Sequence, residues 1–158
     1  MIKLTRIDDR LVHGQVAFTW VPSLSANTLL IANDAVAKDE FQKMTLNLAK
    51  PAGTKLLIKT LADSISFLND EKNNLLKILV LVKSIRDAAI LAADVKEIKS
   101  INVGGIRSKD GSRLISKAVA ITDDDVPFIN EMIKNNIELE LRQVPTDNKQ
   151  LIENLTNK

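Results

Sequence analysis

The chain has 158 residues, of which 45% are hydrophobic, and carries 22 Lys and Arg against 20 Asp and Glu for a net charge of +2. This is enough apolar material for one core and too little length for two ordinary domains, so residues 1–158 are read as a single domain. The absence of cysteine excludes disulfides, a thiolate nucleophile and Cys-based metal sites, and the interspersed charges contain no block that calls for nucleic acid.

The first strand is predicted from Ile2 to Ile7, and it runs into Asp8 and Asp9 before any long apolar stretch, unlike a secretory signal. No run approaches the roughly 18 apolar residues of a membrane-spanning helix. Val16, Ala17, Trp20, Val21 and Leu24 then make an apolar stripe at helical spacing. A second strand is read at Thr28 to Ala32, followed by a stripe of Phe41, Met44, Leu48 and nearby Ala49. Pro51 and Gly53 break the chain before a strand at Lys55 to Thr60, and Asp63 or Ser64 is the expected cap of the next helix.

Lys77 to Lys83 contains Ile78-Leu-Val-Leu-Val82, apolar on both faces as a central strand should be. Ser84 is the cap expected after it. Strands follow at Ser100 to Val103 and Ala118 to Ile121, with Gly104-Gly105 read as a turn between them. Thr122 and the acidic Asp123, Asp124 and Asp125 open another helix. Glu138 to Gln143 alternates like an edge strand, and Pro145 precedes a last short helix. Strands alternating with helical segments predict an α/β fold: a three-layer α/β/α domain with a mainly parallel, doubly wound sheet.

The chemistry concentrates in Arg6-Ile-Asp-Asp-Arg-Leu-Val-His-Gly-Gln-Val16, between the first strand and the first helix. Parallel α/β sheets bind ligands at such carboxyl-end loops. The loop holds the only histidine, His13, just before a helix whose free N–H groups favour an anion. Arg10 offers a guanidinium fork for phosphoryl oxygens, and Gly14 lets backbone approach closely or take a positive φ. Asp8 or Asp9 can hydrogen-bond the imidazole or Arg10, fixing orientation and tautomer. Taken singly, the same residues also fit a solvated ion-pair cluster around a turn.

The string Arg6 to Val16 closely resembles the phosphorylation-site motif of IIB components of bacterial sugar phosphotransferase systems, in the mannose/fructose/sorbose family. Ile31-Ala-Asn-Asp-Ala-Val-Ala37, Asp39-Glu40, Ala49-Lys-Pro51, Asn102-Val-Gly-Gly105, Gly111, Asp124-Asp125 and Val144-Pro145 continue the likeness along nearly the whole chain. The resemblance implies a strand order like 3-2-4-1-5-6 with an extra C-terminal edge strand. It also implies a cytoplasmic phosphocarrier, peripherally associated with a membrane sugar-transport complex, that needs no cofactor and no metal. His13 would accept a phosphoryl group from a histidine of a IIA protein and pass it to a sugar delivered by the membrane IIC and IID components.

In that mechanism Arg10 stabilises charge and Asp9 orients the site, while Gly14 and Gln15 bind phosphate. Asn33, Asp34, Lys83 and Ser84, also at carboxyl ends of strands, are rim candidates. Which imidazole nitrogen reacts, which sugar is carried, and whether the chain forms a homo-oligomer are left open. Two other readings compete: an enzyme using His13 as general acid or base in a deep pocket, and a module that binds a phosphate-bearing ligand without chemistry.

Overall fold

The computed structural model describes residues 1–152. The strands are β1 (Ile2–Asp8), β2 (Thr28–Ala32), β3 (Lys55–Lys59), β4 (Ile78–Val82) and β5 (Ser100–Gly105), then β6 (Ser112–Ser116), β7 (Val119–Thr122), β8 (Glu138–Leu141) and β9 (Gln150–Leu151). Seven of them form one sheet in the order β3-β2-β4-β1-β5-β8-β9, and β6 and β7 pair as a separate antiparallel hairpin. All neighbours in the sheet are parallel except β9, which runs antiparallel to β8 at the edge.

Burial on both faces explains why β4 reads as an unbroken apolar run. Val80 and Val82 point into one core with α4 (Leu61–Asn69), α5 (Ile85–Asp94) and α6 (Val126–Lys134), through Leu68, Leu91, Ile129 and Met132. Leu79 and Leu81 point the other way, into a second core with Val16, Trp20, Val21 and Leu46. Trp20 ends a π-helical turn, Val16–Trp20, that runs into α1 (Val21–Leu24); Leu46 belongs to α3 (Glu40–Ala49), which follows the short α2 (Asp34–Ala37). The sheet is therefore the middle of three layers. β1 leads to the α1 layer, while its neighbours β4 and β5 lead to helices on the opposite face, which makes the carboxyl end of β1 a topological switch point.

Several expectations change. The strand expected at Ala118 to Ile121 forms at Val119–Thr122, but in the hairpin, with Ala118 in its turn: Val119 and Ile121 pack on the α5–α6 core, and apolar alternation cannot say which sheet a strand joins. Glu138–Leu141 is not the edge. Its alternation arises because Glu140 is buried in a polar row. Gly104 and Gly105 end β5 instead of forming a turn. After Pro145 the described residues make a turn and strand β9, with no helix, and residues 153–158 lie outside the described part. Ser84 caps α5 as expected, and Thr122 shares a capping box with Asp125. The cap of α4 is Thr60, whose hydroxyl accepts from the Asp63 N–H, so neither Asp63 nor Ser64 is the cap.

Helix α3 is rotated against its predicted stripe. Phe41, Met44 and Leu48 are 75%, 60% and 83% exposed, and only Leu46 of this helix is buried. A helix with apolar residues on two sides has no unique inward face in its sequence. Leu46→Ala is therefore expected to cost about 2–5 kcal/mol in urea denaturation, whereas Leu48→Gln should stay within about 0.5 kcal/mol of the parent.

Candidate functional site

Asp8 is the last residue of β1 and its side chain is fully buried, a costly place for a carboxylate unless it is paired. Three donors meet it. Arg6, two residues earlier on the same strand face, donates from Nη2 to Oδ2 at 3.0 Å; the Arg10 N–H donates to Oδ1 at 3.1 Å; and His13 Nε2 lies 2.7 Å from Oδ2. Burial works to raise the Asp8 carboxyl pKa, but the His13 hydrogen bond, the Arg6 charge and the Arg10 N–H together hold it below the ordinary aspartate value. The Arg10 side chain is half exposed, with Nε 3.7 Å from Asp8 Oδ1.

The loop reaches this geometry through Leu11. Its φ of +58° costs a non-glycine residue on the order of 1 kcal/mol. Its N–H donates to the Asp8 carbonyl at 2.9 Å, and its side chain and that of Val12 are buried in the α1 core, which offsets the strain. The turn brings His13 back over Asp8 while leaving the imidazole side chain 16% exposed. The Ala17 N–H donates to the His13 carbonyl at 2.9 Å, so the helix opens on His13, and the Gly14, Gln15 and Val16 N–H groups precede the first intrahelical donor.

Asp9, a candidate with Asp8 to orient the site, does something else. Its Oδ2 accepts from the backbone N–H and Nε of Arg107, at 3.0 and 3.1 Å, and its own N–H donates to Gly105 O at 2.9 Å. It ties the loop to the end of β5. Alternation along β1 already separates the two aspartates, since Asp8 shares a face with Arg6 and Asp9 follows the strand's end. Gly14 has neither a positive φ nor a close contact: an added Cβ would meet Phe18 at 3.9 Å, so the absence of a side chain only keeps the loop beside His13 uncovered. Gln15 Oε1 is buried without a hydrogen-bond partner.

Three of the four rim candidates are committed to backbone N–H groups in the first turns of helices. Asn33 Oδ1 accepts from the Val36 N–H at 2.9 Å, Asp34 Oδ1 from the Leu61 N–H at 2.8 Å, and Ser84 Oγ from the Asp87 N–H at 3.1 Å. Lys83 does reach the site. With Asp9, Arg10, Phe41 and Thr45 it lines a shallow hollow of about 200 Å³. On the other side of the loop, Arg10, Arg107, Lys117, Leu114 and Gln143 border a second hollow of about 330 Å³. Arg107 and Lys117 come from the β5–β6 connection and the β6–β7 hairpin, and no local motif announces them.

The molecule is thus a three-layer α/β/α protein that presents a carboxylate-held imidazole and an arginine at an open carboxyl-end rim. The family model described as "PTS system sorbose subfamily IIB component" matches residues 2–158. A sorbose-specific EIIB component of Lacticaseibacillus casei is 35% identical over 147 residues, covering 93% of this chain and 90% of that one. The mannose-specific EIIAB component of Escherichia coli K12 is 32% identical over all of this chain, which spans 49% of it. In structure, the IIBSor domain of the Klebsiella pneumoniae sorbose permease superposes with a TM-score of 0.94 at 29% identity, over 99% of this chain and 96% of that one. The chain belongs to the sorbose subfamily of phosphotransferase-system IIB components, phosphotransferases of sugar uptake.

Because Asp8 titrates below its ordinary value in the folded state, its stabilising effect is complete above an unfolded value of about 3.9 and is lost as pH falls through the lower folded value. In Asp8→Asn this part of the acid dependence should vanish from urea-denaturation curves. Stability near neutrality should drop by about 3–5 kcal/mol, since Arg6 loses its buried partner.

Proposed function

We propose that this chain acts as one IIB domain that carries a phosphoryl group on His13 Nδ1. The observation behind this reading is the 2.7 Å bond between His13 Nε2 and Asp8. An ionised carboxylate is an acceptor only, so Nε2 must donate the proton, and the lone pair of the neutral ring then sits on Nδ1. Attack by Nδ1 on a donor phosphohistidine breaks the donor's P–N bond and forms a new one, with no proton to remove from the attacking atom. The ring becomes cationic when phosphorylated, and the Asp8 charge behind Nε2 favours that state.

Arg10 is assigned the phosphoryl oxygens. It is the half-exposed cation of the loop, and a guanidinium fork suits three equatorial oxygens. The N–H groups at the helix opening assist. Asp9 keeps the loop on β5, and Gln15 and Gly14 contribute through backbone alone. The donor is a IIA protein, in keeping with the chain's match to one half of the mannose-specific EIIAB component. The acceptor is a sugar handled by membrane IIC and IID components, met at the cytoplasmic face of the membrane. Among the described residues no helix is long and apolar enough to cross a membrane. The two hollows that meet at Asp9 and Arg10, about 200 and 330 Å³, are at or below the small end of ligand pockets and neither is lined by His13, which disfavours a general acid or base acting on a free substrate.

Incubation with phosphoenolpyruvate, the general phosphotransfer proteins and a mannose-type IIA should place one acid-labile phosphoryl group on the protein. His13→Ala should abolish it, and unchanged occupancy by mass spectrometry would remove His13 as acceptor. Arg10→Ala should fold normally yet transfer on the order of 10²-fold more slowly, the loss seen when one preorganised charge-stabilising donor is removed. Association with IIA should be weak and should slow as salt rises, because Arg10, Lys83, Arg107 and Lys117 surround the loop. Arg6 takes no part in steering, being buried.

A further inference from the structure

Behind Asp8 a row of polar side chains crosses three neighbouring strands in register. Arg6 on β1 pairs with Asn102 on β5, and Asn102 with Glu140 on β8; all three are buried. Arg6 Nη1 donates to Asn102 Oδ1 at 2.7 Å and to Arg142 O at 3.2 Å. Asn102 Nδ2 donates to Glu140 Oε1 at 3.3 Å, and Arg142 Nη2 to the same oxygen at 3.0 Å. Trp20 covers the row, with its ring 5.4 Å from the Arg6 guanidinium and 5.3 Å from that of Arg142.

Gly104 explains how the guanidinium fits. A Cβ built there would lie 2.0 Å from Arg6 Cζ and 2.1 and 2.4 Å from its two terminal nitrogens, so Arg6 occupies the space of the missing side chain. Nothing in the Gly104 backbone calls for glycine, unlike Gly53 and Gly111, whose φ values are positive. A buried ionic row of this kind is weak evidence for stability, since well-packed apolar side chains commonly serve as well. What apolar side chains cannot do is hold a buried carboxylate ionised and aimed.

We propose that Arg6 is a positioning residue for His13, acting through Asp8, and that Gly104 is the seat that holds its guanidinium in place. Its effect on phosphoryl transfer rests on the His13 reading above; its effect on the imidazole does not. In ¹⁵N-filtered spectra of the full chain, the wild-type neutral ring should show Nε2–H alone, with its proton held from exchange by Asp8. Gly104→Ala and Arg6→Lys should each speed that exchange and bring in the Nδ1–H form. Each should lower kcat by about 10- to 100-fold, as for other groups that orient a reactive imidazole, with KM for phosphorylated IIA nearly unchanged.

The double variant is the sharper test. Lysine has no planar group to fill the Gly104 space, so adding Gly104→Ala to Arg6→Lys should cost little more, whereas a glycine needed only for the strand would cost the same in both backgrounds. Additive losses, or a folded Gly104→Ala with wild-type ring signals and kcat, would overturn the proposal. Should Gly104→Ala fail to fold, unchanged ring signals in Arg6→Lys would overturn it equally. If wild-type His13 takes up no phosphoryl group, the functional reading falls while the ring spectra still decide the role of Arg6.

Discussion

A carboxylate with no solvent exposure has to be paid for by its neighbours, and the region around Asp8 is organised by that requirement. Arg6 supplies charge from below, the Arg10 N–H and His13 cap it from above, and Gly104 gives up its side chain so that Arg6 can approach. Leu11 accepts a left-handed backbone so that the chain can turn back over the carboxylate. Removing Asp8 would leave these features without a purpose, while removing any one of them would leave Asp8 misaimed or uncompensated.

The sheet was legible because its signal is physical and local. β4 is apolar on both faces since both faces are covered, and the five strands before the hairpin sit within a few residues of where β-branched runs place them. The misreadings share a cause: one sequence pattern with two structural explanations. The Glu138–Leu141 alternation looks the same whether the acidic side faces water or a buried row with Asn102 and Arg142. Phe41, Met44 and Leu48 make a helical stripe whichever way α3 turns, and one buried Leu46 decides it.

The candidate site was legible in part for a similar reason. His13 and Arg10 stand out as residue types in a strand-to-helix loop, and the family likeness of that loop is strong. The choice between Asp8 and Asp9 is different, because it depends on where β1 ends: Asp8 is still on the strand, facing the same way as Arg6, while Asp9 has left it and turns to Arg107. Asn33, Asp34 and Ser84 occupy carboxyl ends as anticipated, but short polar residues there are first needed by the backbone N–H groups that open helices, whether their own or, for Asp34, α4. Arg107 and Lys117 arrive from the hairpin, whose packing beside the loop is a tertiary fact.

On the proposed reading, Arg6 and Arg10 divide two tasks between them within one short stretch of chain. Arg6 has fixed partners on Asp8, Asn102 and Arg142 O, an aromatic ring over it and no access to solvent, so its planar fork works as a brace. Arg10 is tied by its backbone, and its side chain is 47% exposed with Nε 3.7 Å from Asp8. A phosphoryl group arriving at His13 would bring negative charge to the exposed side of the imidazole, where Arg10 can turn to meet it and Arg6 cannot. Replacing Arg6 should therefore disturb the ring before any phosphate is present, whereas replacing Arg10 should leave the resting ring nearly untouched and act when charge develops. Ring spectra of the two variants without donor, set beside their transfer rates, separate these roles.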